Sequence, residues 1–185
     1  MDRKDIEAKL KEWEIENFTI SADGVVDVDG TVDISFKNLT RIPVQFGVVK
    51  GDFNCSNNQL ETLKGVPETV AVTFFCHENR LTSLEGGPHY VGKAYICSKN
   101  MLNSLDGAPR NVNGSFNCSE NQLTSLKGAP EIINGTFDCT NNRLTTLEGI
   151  PRYVNRVLYV SGNPIKGEVL DNFKRLSSFL IISDD

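Results

Sequence analysis

Apolar positions along this chain return on a fixed beat. Cys55, Cys76, Cys97, Cys118 and Cys139 lie 21 residues apart, and Leu60, Leu81, Leu102, Leu123 and Leu144 keep the same spacing. So do Leu63, Leu84, Leu105, Leu126 and Leu147, and the prolines Pro67, Pro88, Pro109, Pro130 and Pro151. A further column runs through Val28, Val49, Val70, Val91, Val112, Ile133 and Val154. A period near 20 residues marks a solenoid, whose turns are each too small to bury their own apolar face and build a core by stacking. Residues 28–165 therefore predict seven turns: a divergent first, five close copies, and a divergent last with Leu158, Val160, Asn163 and Ile165.

One copy, 115–135, shows what a turn must look like. Phe116, Asn117 and Cys118 alternate apolar, polar, apolar, which predicts a short strand with Phe116 and Cys118 inward. Asn121 follows, then Leu123, Leu126, a Gly-x-Pro segment and Ile133. Asn58, Asn79, Asn100, Asn121, Asn142 and Asn163 recur at one position and form a structural ladder. A buried Asn in a sharp bend satisfies backbone groups left unpaired, and losing such a partner costs about 1–3 kcal/mol. The first turn has Lys37 in that slot, with Asn38 one residue late, so its ladder contact is in question.

These residues resemble the leucine-rich repeat, L-x-x-L-x-L-x-x-N-x-L-x-x-L, with Phe116 and Cys118 in the second and third leucine positions. The Gly-x-Pro segment is most similar to the short bacterial subtype, with one residue more between the valine and the strand. The resemblance implies an α/β repeat, a leucine-rich-repeat solenoid with a short parallel β-sheet on the concave face and a mostly extended convex side. The wording Phe-x-Cys-x-x-Asn-x-Leu-Thr-Ser-Leu-x-Gly-x-Pro is also similar to repeat proteins of tailed bacteriophages.

A solenoid needs atypical ends over its open core. Residues 1–27 are expected to form the N-terminal cap. Ile6, Leu10 and Trp13 predict an amphipathic helix over 2–13, with Glu7 and Lys11 as an exposed pair, and a hairpin follows around 22–24. Residues 166–185 are expected to form a helical C-terminal cap, with helix over 168–178 and Val169, Phe173, Leu176 and Leu180 on one stripe. Residues 179–182 pack under that cap or finish as a short strand, and Asp184 and Asp185 are expected to fray.

Charge and composition then remove function classes. The net charge is -5 and there is no Lys/Arg run, which argues against nucleic acid as a partner. The N-terminus lacks the roughly 7–15-residue apolar stretch of a signal peptide, and no run approaches the ~18 residues of a membrane span. A cytoplasmic location is expected, in the host cell if the chain is phage-encoded, with no membrane partner. Asp27, Asp29 and Asp33 fail the calcium-loop spacing, and turn chemistry explains them better.

The cysteine column invites a metal or redox reading. Zinc sites use short spacings such as Cys-x2-Cys, whereas Ile34 and Val160 continue this column at either end. Cys55, Cys76, Cys97, Cys118 and Cys139 read as small buried hydrophobes, with no metal and no cofactor expected. His77 and His89 are the only histidines, no catalytic set is recognisable, and the Gly86–Gly87 pair ahead of Pro88 is no phosphate loop. Bacterial effectors of similar repeat type can carry a catalytic domain after the array, but only residues 166–185 follow here. An enzyme is not expected.

Binding chemistry is clearest on the outward strand positions. The row before each inward cysteine reads Asp33, Asn54, Phe75, Ile96, Asn117, Asp138 and Tyr159. Most of that face is small and polar, but Phe75 and Ile96 sit on adjacent strands with His77, Glu78 and Lys99 beside them, and Tyr159 stands further along. Apolar neighbours rimmed by charge are what an interaction hot spot needs, while simple cross-strand stabilisation is the plainer alternative. Tyr90 and Tyr153 share another column and read first as packing residues in loops.

The reading is a non-catalytic protein–protein interaction module that binds a partner through the concave face. If the phage resemblance holds, the partner is a bacterial host protein that the chain binds or inhibits. The alternatives are a structural or self-assembling repeat protein and a thiol-based sensor. A monomer or weak self-association is expected.

Overall fold

The computed structural model describes residues 1–176 and 179–183. Helix α1 (Arg3–Glu12) precedes a hairpin of β1 (Phe18–Ile20) and β2 (Val25–Val28). The turns then supply β3 (Val32–Asp33), β4 (Gln45–Val49), β5 (Phe53–Asn54), β6 (Thr69–Val70), β7 (Phe74–Phe75), β8 (Tyr90–Val91) and β9 (Tyr95–Ile96). They continue with β10 (Asn111–Val112), β11 (Phe116–Asn117), β12 (Ile132–Ile133), β13 (Phe137–Asp138), β14 (Tyr153–Val154) and β15 (Val157–Tyr159). Helix α2 (Gly167–Leu176) and β16 (Leu180–Ile182) end the described chain.

The odd-numbered strands from β3 to β15, joined by β16, make one eight-stranded sheet. Its pairs are parallel and in register, so Phe53 faces Phe74, Phe74 faces Tyr95 and Phe116 faces Phe137. Stacking identical columns puts the rings of neighbouring turns 4.9–5.9 Å apart, within the range where aromatic pairs attract. The cysteines and both leucine columns are completely buried behind them. The fold is a parallel solenoid whose core is one continuous stack.

The Gly-x-Pro segment owes its shape to a backbone requirement. In each close copy the residue after the glycine donates to the carbonyl of the second leucine, as Ala108 does to Leu105 at 3.0 Å. That bond, with the glycine at positive φ in the third position, defines a type II turn. At Gly107, φ is +91° and an added Cβ would lie 2.3 Å from the Leu84 carbonyl carbon, so any side chain collides with the turn beneath. Just upstream of the main sheet the chain forms further short strands, in sheets ordered β1-β2-β4-β6-β8 and β10-β12-β14. These are finer than the repeat pattern predicted, and they turn Tyr90, Ile132 and Tyr153 outward. Tyr90 and Tyr153 are exposed strand residues, because only the alternate Val91 and Val154 face the core.

Both ends are covered, by different devices. Asp2 caps α1 by accepting the Asp5 N–H, and Ile6, Leu10, Trp13 and Ile15 are buried over the first turn. Glu7 pairs one helical turn back with Arg3, not forward with Lys11. The hairpin extends the upstream sheet, since β2 pairs with β4. At the other end Leu170 is buried and Phe173 packs against the core, while β16 adds a parallel strand beside β15. Leu180 leaves the expected helical stripe because it lies on this strand, facing outward. Of the expected C-terminal features, Ser177, Ser178, Asp184 and Asp185 lie outside the described residues.

Candidate functional site

The asparagine column is a hydrogen-bonded ladder. Asn121 Nδ2 donates to the carbonyls of Cys97, Cys118 and Ser119 at 3.0–3.1 Å, and its Oδ1 accepts the Leu102 N–H at 3.0 Å. Each such asparagine therefore ties its own bend to the turn before it. Asn58 reaches into the first turn as well, accepting from both Lys37 and Leu39 N–H, which compensates for the missing asparagine at position 37. The residue ahead of the ladder position sits in the left-handed region, with φ near +53° at Asn57, Glu78, Lys99, Glu120 and Asn141. Glu78 and Lys99 thus leave the strand and stand at the rim of the sheet. They form an ion pair across adjacent turns at 3.3 Å.

Outward residues on the main sheet share a local device. Asn117 Oδ1 accepts both the N–H and the hydroxyl of Ser119, at 2.9 and 2.7 Å. Asp33 does the same for Ser35, Asn54 for Ser56, and Asp138 for Thr140. An Asp or Asn two residues ahead of a Ser or Thr closes each strand end with its side chain. At two adjacent turns the device is deleted, as it also is in the last turn, where Tyr159 precedes Ser161. Phe75 and Ile96 have no oxygen to offer, so the N–H groups of His77 and Ser98 lose this acceptor.

Phe75 and Ile96 face each other across the β7–β9 pair, and both are half-buried. The His77 ring meets the Phe75 ring edge-on at 6.1 Å. Burial lowers the pKa of His77 from its ordinary value, and its Nδ1 is enclosed with no hydrogen-bond partner among the described residues. The site is a small apolar platform with a neutral imidazole and an ion pair at its edge. Phe75, Ile96, His77, Glu78 and Lys99 are brought together. Tyr159 is not: it lies on β15, three strands from β9, a separation of about 14 Å at ordinary strand spacing.

The five cysteines are fully buried, and burial raises every one of their pKa values. Cys55, Cys97 and Cys139 donate Sγ–H to the carbonyl of the next strand at 3.1–3.3 Å. Thiols held neutral away from solvent pack as small hydrophobes. Among the described residues no group of three His, Cys, Asp or Glu side chains is placed to hold a metal ion, and no helix is long and apolar enough to cross a membrane.

Two features were invisible to the pattern. Phe36 stands 73% exposed at φ +54°, and Tyr95 buries its hydroxyl with no hydrogen-bond partner among the described residues. The Tyr95 oxygen fits because Gly87 supplies no Cβ, which would lie 2.8 Å from it. The other copies carry Val66, Ala108, Ala129 or Ile150 at that position, opposite Phe or Leu.

Stacked 21-residue turns, an in-register parallel sheet and a buried asparagine ladder together define a leucine-rich-repeat solenoid. Among solved structures the chain is similar to a Shigella effector leucine-rich-repeat domain, with a TM-score of 0.58 and 21% sequence identity over 98% of this chain and 88% of that one. That likeness speaks for the fold. No protein-family model and no curated protein matches the chain.

Proposed function

We propose that the protein is a non-catalytic interaction module that docks a partner protein on the concave sheet face around Phe75 and Ile96, with His77, Glu78 and Lys99 at the rim. One observation carries this reading. The turns flanking this pair use an Asp or Asn to close the strand, and these two neighbours give up that closure for apolar side chains. A partner that covers these two side chains accounts for giving up the closure. Tyr159 is a separate, lesser contact beside β16. The wording shared with bacteriophage repeat proteins supports a bacterial host protein as the partner, bound or inhibited by the chain.

The test is capture from a bacterial lysate by the native protein and by a Phe75→Asn, Ile96→Asn variant. Asparagine at both positions restores the strand closure seen at Asn54 and Asn117, worth about 1 kcal/mol each, and offsets the packing lost. The variant is expected to melt within a few degrees of the native protein and to lose the partner. Equal retention by both would move the site off this face.

Self-assembly has one observation in its favour: Leu180 and Ile182 face outward, 59% and 37% exposed, on the sheet's last described strand. A light-scattering mass that rises with concentration supports that reading, and a constant monomer mass removes it.

A further inference from the structure

The two ends of the main sheet are finished differently. At the C-terminal end β16 adds a strand, whereas at the N-terminal end the hairpin extends the other sheet and β3 pairs with β5 alone. The hydrogen bonds show what this leaves open. Val32, Ile34 and Phe36 N–H donate to the carbonyls of Asp52, Asn54 and Ser56. The matching carbonyls on β3 belong to Thr31, Asp33 and Ser35, and a preceding strand would donate to them. Among the described residues no strand does, and the alternate Asp33 N–H points to the same open edge.

A cleft of about 370 Å3 runs along that edge, walled by Trp13, Glu14 and Ile15 and by Asp33, Ser35 and Lys37. Around Glu14 and Ile15 it adjoins a second groove lined by Glu7, Lys11, Glu16 and Phe18. Glu7 is paired with Arg3, and the carboxylates Glu14, Glu16 and Asp33 outnumber Lys11 and Lys37 here. The whole segment 1–27 has eight Asp/Glu against four Lys/Arg, so it holds -4 of the net -5. Phe36 stands exposed beside the cleft, between its lining residues Ser35 and Lys37.

We infer that the β3 edge and this cleft form a second docking site, for an extended basic segment of a partner protein that adds to the sheet as a parallel strand. Main-chain N–H groups of the segment bond the Thr31, Asp33 and Ser35 carbonyls. Its Lys or Arg side chains meet Glu14, Glu16 and Asp33, and its apolar residues lie against Ile15 and Phe36. Strand addition of this kind takes affinity from the main chain and selectivity from alternate side chains. The site is distinct from the Phe75–Ile96 face and does not depend on it.

Trp13 is the chain's one tryptophan, buried at 4% exposure in the cleft wall, so its fluorescence reports occupancy. The probe is a synthetic peptide of alternating lysine and valine, titrated into the full chain at low salt. A saturable change in Trp13 emission is expected, weakening as salt rises. Glu14→Lys and Asp33→Lys, each shown folded by circular dichroism, are expected to weaken binding about tenfold or more. The same peptide N-methylated at every amide is expected not to bind, because the donors are gone on both edges. Equal binding by an alternating glutamate and valine peptide, or undiminished binding of the methylated one, would overturn the inference. So would a free chain that dimerises and is made monomeric by Asp33→Lys, which would make a second copy the occupant.

Discussion

A single ladder asparagine fixes the geometry of two turns. Replacing Asn121 with Ala leaves the Leu102 N–H without its acceptor in a dry interior, while the Cys97 and Cys118 carbonyls each lose one of two donors and keep Asn100 and Asn142. The expected loss is about 1–3 kcal/mol, read as a shift of the denaturation midpoint at unchanged slope. Tyr95 and Gly87 make the opposite case. The Tyr95 hydroxyl is buried without compensation, so Tyr95→Phe is expected to raise stability by about 1 kcal/mol. Gly87→Ala collides with that hydroxyl and is expected to destabilise the native chain more than the Tyr95→Phe variant. A double-mutant cycle should show a coupling of at least about 0.5 kcal/mol, and additive effects would contradict the assigned contact.

Columns, not single residues, set the behaviour of each element. The cysteine column packs as apolar matter, and its thiols resist ionisation because burial disfavours the thiolate. Unfolding frees them to ionise near the ordinary value of about 8.5. Above that pH the unfolded chain binds fewer protons than the folded one, so stability is flat below about pH 8 and falls as pH rises further. The expected slope approaches about 1.4 kcal/mol per pH unit for each ionising thiol. Denaturation midpoints between pH 7 and 10 check this, and Cys→Ala changes should flatten the fall. A midpoint that stays constant through pH 10 would mean the thiols are accessible in the native state.

The same columns explain what the sequence could and could not tell. Inward positions were legible because each is a 21-residue column of apolar residues, as with Phe53, Phe74, Tyr95 and Phe116. The upstream strands were not, since a two-residue strand such as Tyr90–Val91 is too short for an alternation to register. The left-handed bend at Glu78, Lys99 and Glu120 was hidden by residue types that disfavour it, the ladder imposing the geometry from outside. The apolar pair Phe75 and Ile96 could be read from alternation alone. Their meaning came only with the closures at Asn54 and Asn117, visible once those side chains could be seen bonding to Ser56 and Ser119. The free β3 edge was out of reach, because it depends on which sheet the hairpin joins.

Across the whole molecule, the solenoid is a regular polar face interrupted at the Phe75–Ile96 platform, at Tyr159 and at the open edge beside Trp13. The platform is tested most directly by amide hydrogen exchange on the free protein and on its complex with the captured partner. The His77 and Ser98 amides lack the side-chain acceptor enjoyed by Ser56 and Ser119, so they are expected to exchange faster in the free chain. On complex formation, β7 and β9 and these two amides should become the most protected segment of the sheet. Protection confined to other turns, with His77 and Ser98 unchanged, would contradict the account.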